Sequence, residues 1–358
     1  MKIPITTVSD DQRKPVPSDD SKLGFGQYLT DHMFMLDYAP DRGWHDPRIV
    51  PYGPLSLDPA ALVLHYGQEI FEGLKAYHGR DGGVRLFRHR ENLERLNRSC
   101  DRMVIPALDV DLLSDAVRQL VLLEREWIPR TEGCSLYIRP TVIATSAILG
   151  VRPSPNYLCY VIVGPVGAYY PEGFNPVGIW ASSEYVRAVR GGVGEAKTGG
   201  NYAASLKAQA AAQAAGYSQV LWLDALERRY VEEVGTMNIF FKIDGTVITS
   251  PLTGSILPGV TRYSVLTLLE RWGVPVQERL LGIDEIFEAG RQGTLEEVFG
   301  SGTAAIITPV KEIAYQGDKL PVGDGTTGPV AQKLYDTILG IQYGYGEDPF
   351  GWGERIDA

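Results

Sequence analysis

The run R-A-V-R-G-G-V-G-E-A-K-T-G-G-N-Y spans Arg187 to Tyr202. It sets one lysine, Lys197, between two glycine pairs, with arginines upstream and a tyrosine downstream. A second segment, Glu232-Glu233-Val234-Gly235-Thr236, delivers acids at the end of an apolar, β-prone run. Three readings compete for Lys197. The first is a solvated loop lysine, the usual state of lysine. The second is a phosphate-binding P-loop. Gly191, Lys197 and Thr198 nearly fit G-x-x-x-x-G-K-[ST], but Ala196 stands at the second glycine, and that motif must open a helix at once. The pair Gly199-Gly200 predicts non-helical chain at that point. The third is a Schiff-base lysine, with an acid that keeps a pyridine nitrogen protonated, as a pyridoxal phosphate enzyme requires.

Composition narrows the field. The chain has 358 residues, 44% hydrophobic and 22% charged, which is ordinary for a soluble globular protein of two domains or one large one. A net charge of −10 repels nucleic acid and anionic membrane and favours small-molecule chemistry. Three cysteines without C-x-x-C suggest neither a disulfide framework nor a zinc ribbon. The five histidines show no metal-ligand spacing. No apolar run is long enough to span a bilayer, and Met1 to Lys22 lacks the apolar core of a signal peptide. These features predict a cytoplasmic protein whose residues 1–22 form a mobile tail.

Periodicity predicts mixed α/β architecture. Residues 62–67 read as a short strand into a turn, 70–77 and 84–87 as a hairpin, and 90–102 and 112–127 as helices, the first of them a surface helix. Residues 135–145 and 158–163 read as strands, and 166–178 as an interdomain connection rich in glycine and proline. Beyond it come a helix over 203–215, strands over 219–223, 229–234, 237–243 and 246–249, a helix over 261–271, and a short strand over 297–299 before the loop Gly300-Ser301-Gly302-Thr303. Asp244-Gly245 is a strong hairpin signal. The domains are thus 23–165 and 179–358, the second carrying the lysine.

A pyridoxal phosphate site needs a ring-nitrogen acid, a donor to the ring phenolate and a phosphate cup. Glu233, or else Glu232, can be the acid and Tyr202 the donor. The cup could form at Leu257-Pro258-Gly259-Val260-Thr261, whose amides open a helix, at Gly300 to Ala304, or with Arg95 closing it. An ordinary β-to-helix turn and a solvated helix arginine are the plain readings of the last two.

The set 65–76 (H-Y-G-Q-E-I-F-E-G-L-K-A), Leu86-Phe87-Arg88, 135–140 (S-L-Y-I-R-P), Lys197 to Tyr202, 233–238 (E-V-G-T-M-N) and 299–304 (F-G-S-G-T-A) resembles the branched-chain amino acid aminotransferases, fold type IV pyridoxal phosphate enzymes. The likeness runs from about Phe25 to Tyr343, with the blocks in the family's order and spacing. It implies a smaller N-terminal α/β domain, a larger C-terminal pseudo-barrel domain and a homodimer. It makes Lys197 the catalytic base, sets Glu233 at the ring nitrogen and Tyr202 at the phenolate, and gives the phosphate to Arg95, the amides of Val260 and Thr261, and Thr303. Arg187 lies near the cofactor in relatives. Thr236 and the Ala304 amide would hold the substrate α-carboxylate. Phe25, Tyr66, Phe71, Tyr137 and Tyr169 would wall the side-chain pocket, and Arg139 would meet a γ-carboxylate. Leu149 and Val151 would reach the partner subunit's site.

The implied activity is transamination of L-leucine, L-isoleucine and L-valine with 2-oxoglutarate, giving branched 2-oxo acids and L-glutamate, without metal, nucleic acid or membrane. A D-amino acid aminotransferase or an aminodeoxychorismate lyase is the alternative within the fold. One departure is visible. Some relatives carry C-x-x-C after the Gly-Ser-Gly-Thr loop, where this chain has Ala305 and Thr308, so thiol regulation of that kind is not expected.

Overall fold

A computed structural model describes residues 3–167 and 174–357. Two compact units emerge: residues 1–169 with 196–199 and 339–358, and residues 170–195 with 200–338.

The first unit is built on one sheet of β1 (His32–Ala39), β2 (Gly43–Pro51), β3 (Glu69–Phe71), β4 (Leu74–His78), β5 (Val84–Phe87), β6 (Ser135–Ala144), β7 (Tyr157–Val166) and the late strand Gly353–Arg355. Its order is Gly353–Arg355, β5, β4, β6, β7, β1, β2, with β3 laid on β6. On β6, Leu136 and Ile138 are fully buried while Tyr137 and Arg139 turn to the other, half-buried face, the two-residue period of a strand. Three helices accompany the sheet: α1 (Leu62–Tyr66), α2 (His89–Met103) and α3 (Val110–Leu123). Asp109 caps α3 by accepting from the amides of Asp111 and Leu112. Leu93, Leu96, Leu113, Val117 and Leu120 of α2 and α3 share one core with Leu136 and Ile138.

The second unit holds β8 (Val177–Ala181), α4 (Gly199–Ala214), β9 (Gln219–Leu223), β10 (Val231–Val234), β11 (Met237–Ile243), β12 (Thr246–Thr249), α5 (Val260–Arg271), β13 (Val276–Glu278), α6 (Ile283–Arg291), β14 (Leu295–Gly302), β15 (Ile306–Tyr315) and β16 (Asp318–Pro321). Helix α7 (Pro329–Gln342) follows. The strands run β10-β9-β8-β15-β14-β11-β12-β13, and β10 also pairs with β11, so six of them close into a ring. This is the barrel-like sheet that the resemblance implies. Parallel β8 and β9 need a crossover, and α4 supplies it. Asp244 (φ +47°) and Gly245 (φ +73°) make the two-residue turn between β11 and β12, as their sequence predicts.

Several expectations fail for identifiable reasons. Residues 3–22 are docked. Ile3 is 2% exposed, the Thr6 amide donates to Ile49 O (2.9 Å), and the Lys14 amide donates to Asp31 Oδ1 (3.0 Å). Residues 62–66 are a helix, closed by Gly67 at φ +61°; an apolar run this short does not reveal its period. The strand over 70–77 breaks at Glu72-Gly73, where a Cβ on Gly73 would run into Tyr137 Oη. Helix α2 is no mere surface helix, since His89, Asn92, Arg95 and Ser99 are buried along it. Gly199-Gly200 open α4 rather than interrupting it, because the Glu69 carboxylate accepts from the Gly199 amide. Gly300-Ser301-Gly302 is the end of β14 and not a loop: Gly300 and Ser301 pair with both β11 and β15, and Gly302 pairs with β15.

Within the expected boundary at 166–178, residues 168–173 lie outside the described residues; β7 ends at Val166 and β8 begins at Val177. Residues 196–199, expected in the second domain, group with the first unit. Phe71 N donates to Lys197 O (2.9 Å) and Lys197 N to Ser99 Oγ (2.9 Å). Residues 339–358 do so as well, since Gly353–Arg355 pairs with β5.

His32 anchors the N-terminal segment. Its Nε2 accepts from the Val8 amide (3.0 Å), which leaves the proton on Nδ1 to donate to buried Glu124 Oε1 (2.6 Å). His32→Ala should destabilise the protein by about 1–3 kcal/mol, the cost of a buried acceptor left unmet. It should also speed hydrogen exchange at the amides of Thr6 and Val8. Unchanged exchange there would contradict the docking.

Candidate active site

In the first unit, Lys197 is held by its backbone and by its neighbour. Besides the two bonds above, Thr198 Oγ1 donates to Glu69 O (2.7 Å). The Lys197 ammonium lies 4.9 Å from the centre of the Phe71 ring. The start of α4, where a P-loop would hold its phosphate, is taken by the chain's own Glu69 carboxylate. That occupation, and not the absence of a helix, argues against the P-loop reading.

Arg95 is 4% exposed and Glu72 is 0% exposed. They form a two-pronged ion pair, Nε to Oε1 at 2.7 Å and Nη2 to Oε2 at 2.9 Å, and Asn92 Nδ2 adds 3.1 Å to the same carboxylate. Burial pushes the Glu72 carboxyl up, but Arg95 and Lys197 outweigh it and hold the carboxyl below its ordinary range. Glu72 stands inside a quoted motif, yet no sequence signal distinguishes it as the counter-charge of Arg95.

The aromatic wall is partly assembled in the same unit. Phe25 meets Tyr137 edge-on at 4.9 Å between centroids. Arg139 Nη2 donates to Tyr137 Oη (3.1 Å), and its guanidinium lies 4.7 Å from the Phe71 centroid. Tyr66, Leu149 and Val151 are exposed, at 41%, 69% and 87%. Tyr169 falls outside the described residues.

In the second unit, one cleft is lined by Arg187, Asn201, Tyr202, Glu233, Thr236 and Leu257 among others. Glu233 is 3% exposed. Arg187 Nε stands 2.5 Å from Glu233 Oε2, an ion-pair contact that is not aligned as a hydrogen bond. Arg187 Nη2 donates to Gly194 O (3.0 Å) and Ser255 O (2.5 Å). Gly235 (φ +56°) lets the chain turn from β10 into β11 and sets Thr236 at the tip beside Glu233.

Asn238, across the ladder from Glu233, is the link that sequence reasoning passed over. Its Nδ2 donates to Glu233 Oε1 (3.3 Å) and to Leu257 O (3.0 Å), tying the acid to the loop that opens α5. Gly259 is the N-cap of α5, so no side chain caps it, and a Cβ there would run into Asn238 Oδ1. The amides of Val260 and Thr261 therefore open a helix that lacks a side-chain cap, in residues only 7% exposed. Thr303 and Ala304 are half-buried in the turn between β14 and β15.

The chain matches the amino-transferase class IV family over residues 69–313. It is 56% identical over 346 residues to "Branched-chain-amino-acid aminotransferase 2" of Bacillus subtilis (strain 168), covering 97% of this chain and 95% of that one. This chain belongs to the branched-chain amino acid aminotransferases. The family's fold is equally plain in solved structures. The Escherichia coli branched-chain amino acid aminotransferase superposes with a TM-score of 0.76 at 30% identity, over 91% of this chain and 99% of that one. The T.th. branched-chain amino acid aminotransferase, complexed with N-(5'-phosphopyridoxyl)-L-glutamate, gives 0.72 at 30% identity, over 94% and 99%. That enzyme has also been solved with pyridoxamine 5'-phosphate and with 4-methylvaleric acid. Among the described residues no helix is long and apolar enough to cross a membrane, and no three His, Cys, Asp or Glu side chains cluster as a metal site.

Truncating one partner of a buried ion pair costs about 3–5 kcal/mol, because the other charge is left unanswered. Glu72→Ala should therefore lower the melting temperature markedly. Glu72→Leu combined with Arg95→Met should recover much of the loss. A Glu72→Ala protein that melts with the wild type would show that the pair carries no stability.

Proposed function

We propose that the chain transaminates L-leucine, L-isoleucine and L-valine with 2-oxoglutarate, using pyridoxal 5'-phosphate. The observation that carries this reading is Glu233, a buried acid in the cleft that Tyr202 and Arg187 also line. The side chains and backbone groups suit that cofactor. Lys197 offers an amine, Glu233 a carboxylate for a ring nitrogen, and Tyr202 a phenol. The uncapped amides at Val260 and Thr261 offer an anion site, and Arg95 and Thr303 are the further phosphate groups that the resemblance implies. Bound there, the cofactor supplies an aldehyde for the substrate amine and an electron sink for the pair left by the departing α-proton.

The protein's own groups do the rest. Lys197 would hold the cofactor through its amine, and that amine, once freed, could take the substrate α-proton and return it. Its backbone tethers limit the arc through which the amine swings. Thr236 and the Ala304 amide hold the substrate α-carboxylate. Phe25, Phe71 and Tyr137 take the apolar branch, with Tyr66 and Tyr169 completing the wall. Burial of the branch contributes about 0.8 kcal/mol per methylene. Arg139 lies against two of these rings and shares a hydrogen bond with Tyr137, so one surface can meet either a methyl group or a γ-carboxylate. Leu149 and Val151, both exposed, fit a role at the site of a second subunit in a homodimer. The three cysteines are free and buried, which suits a reducing cytoplasm.

Borohydride reduction of the holoenzyme followed by peptide mass spectrometry tests the lysine. A phosphopyridoxyl mass on the peptide carrying Lys197 is expected, and a mass on any other lysine would refute the assignment. Arg139→Ala should weaken glutamate and 2-oxoglutarate roughly ten- to a hundred-fold, the range of one charge-assisted bond, while sparing leucine. Equal losses of kcat/KM for both substrate classes would reject the dual use of that wall.

A further inference from the structure

The two adjacent glutamates of β10 meet different surroundings. Glu233 lines the cleft with Tyr202, whereas Glu232 lines a separate cavity of about 160 Å³ with Thr253 and Ile256. A register shift between Val231 and Val234 marks an irregularity in the strand here. Both acids are buried, at 6% and 3% exposure.

They are nevertheless wired to one cation. Ser255 Oγ donates to Glu232 Oε1 (2.5 Å), and Ser255 O accepts from Arg187 Nη2 (2.5 Å). Arg187 in turn contacts Glu233 (2.5 Å). Because the Ser255 hydroxyl proton goes to Glu232, Thr253 Oγ1, 3.4 Å away, must be the donor to Ser255 Oγ. Gly194 allows the approach, since a Cβ there would collide with Ser255 O. Burial pushes the Glu232 carboxyl above its ordinary range, and the Ser255 hydrogen bond and Arg187 oppose that rise. Asp224 adds to it while Arg190 opposes it, so Arg187 is what favours the charged form across this link.

Charge counting gives this wiring a use. With Glu233 alone, one carboxylate would answer both the Arg187 guanidinium and a protonated ring nitrogen. With Glu232 there are two carboxylates for two cations, in a place where an unanswered charge is costly. We propose that Glu232 is a positioning residue for the ring-nitrogen acid: through Ser255 and Arg187 it keeps Glu233 able to hold a protonated pyridine nitrogen. Without Glu232, Arg187 draws harder on Glu233 and lowers its basicity. The inference rests on the assignment of Glu233 to that nitrogen.

The test uses holoenzyme loaded with pyridoxal 5'-phosphate carrying 15N in the ring, read by solid-state NMR. In E232Q the 15N resonance should move toward the unprotonated position, with kcat down about ten-fold, one pK unit of differential interaction, and KM little changed. E232D should restore both. S255A, which removes only the hydroxyl link, should shift the resonance in the same direction by less, and it decides the matter if E232Q does not fold. A wild-type resonance in these variants would overturn the proposal, even if their rates fell. If E233Q also leaves the resonance unmoved, the assignment of Glu233 itself fails, a result distinct from failure at Glu232 alone.

Discussion

The ion pair between Arg187 and Glu233 is the contact around which the second unit's site is arranged. A carboxylate withdrawn from water must be met by a cation and by hydrogen-bond donors. Arg187 and Asn238 meet it, and each recruits further structure. Arg187 is fixed by the carbonyls of Gly194 and Ser255, and a side chain on Gly194 would block the second of these. Asn238 reaches the carbonyl of Leu257, and a side chain on Gly259 would block Asn238. The two-residue turn at Gly235-Thr236 folds β11 back on β10 so that Glu233 and Asn238 face each other across the ladder.

A parallel logic holds in the first unit. Glu72 answers Arg95, and the break between β3 and β4 is what turns Glu72 inward. The segment carrying Lys197 is secured through main-chain and hydroxyl contacts to Phe71, Ser99 and Glu69, which fix its backbone. Each unit thus buries an acid against an arginine, two-pronged between Glu72 and Arg95 and single between Glu233 and Arg187.

Locally determined features were legible in the sequence. The turn at Asp244-Gly245 declares itself because two left-handed residues in a row suit few others. The strands β6, β7, β9, β11 and β12 follow from β-prone apolar runs. What escaped depends on distant partners. Gly199-Gly200 opens a helix only because Glu69 caps it from elsewhere in the chain. Gly300 to Gly302 is a strand because β15 pairs with all three residues and β11 with Gly300 and Ser301, despite small residues that suggest a loop. The N-terminal segment has polar composition but docks through main-chain bonds that composition does not reveal. The site residues were found by motif rather than by spacing, and the groups missed, Glu72 and Asn238, act by holding others.

The central claim, that this chain performs branched-chain transamination on a pyridine cofactor, is tested most directly by visible absorbance of the purified holoenzyme. A yellow band that fades on addition of L-leucine and returns with 2-oxoglutarate is the result this account requires. A protein that stays colourless after incubation with pyridoxal 5'-phosphate, or whose band responds to D-alanine and not to L-leucine, would contradict it.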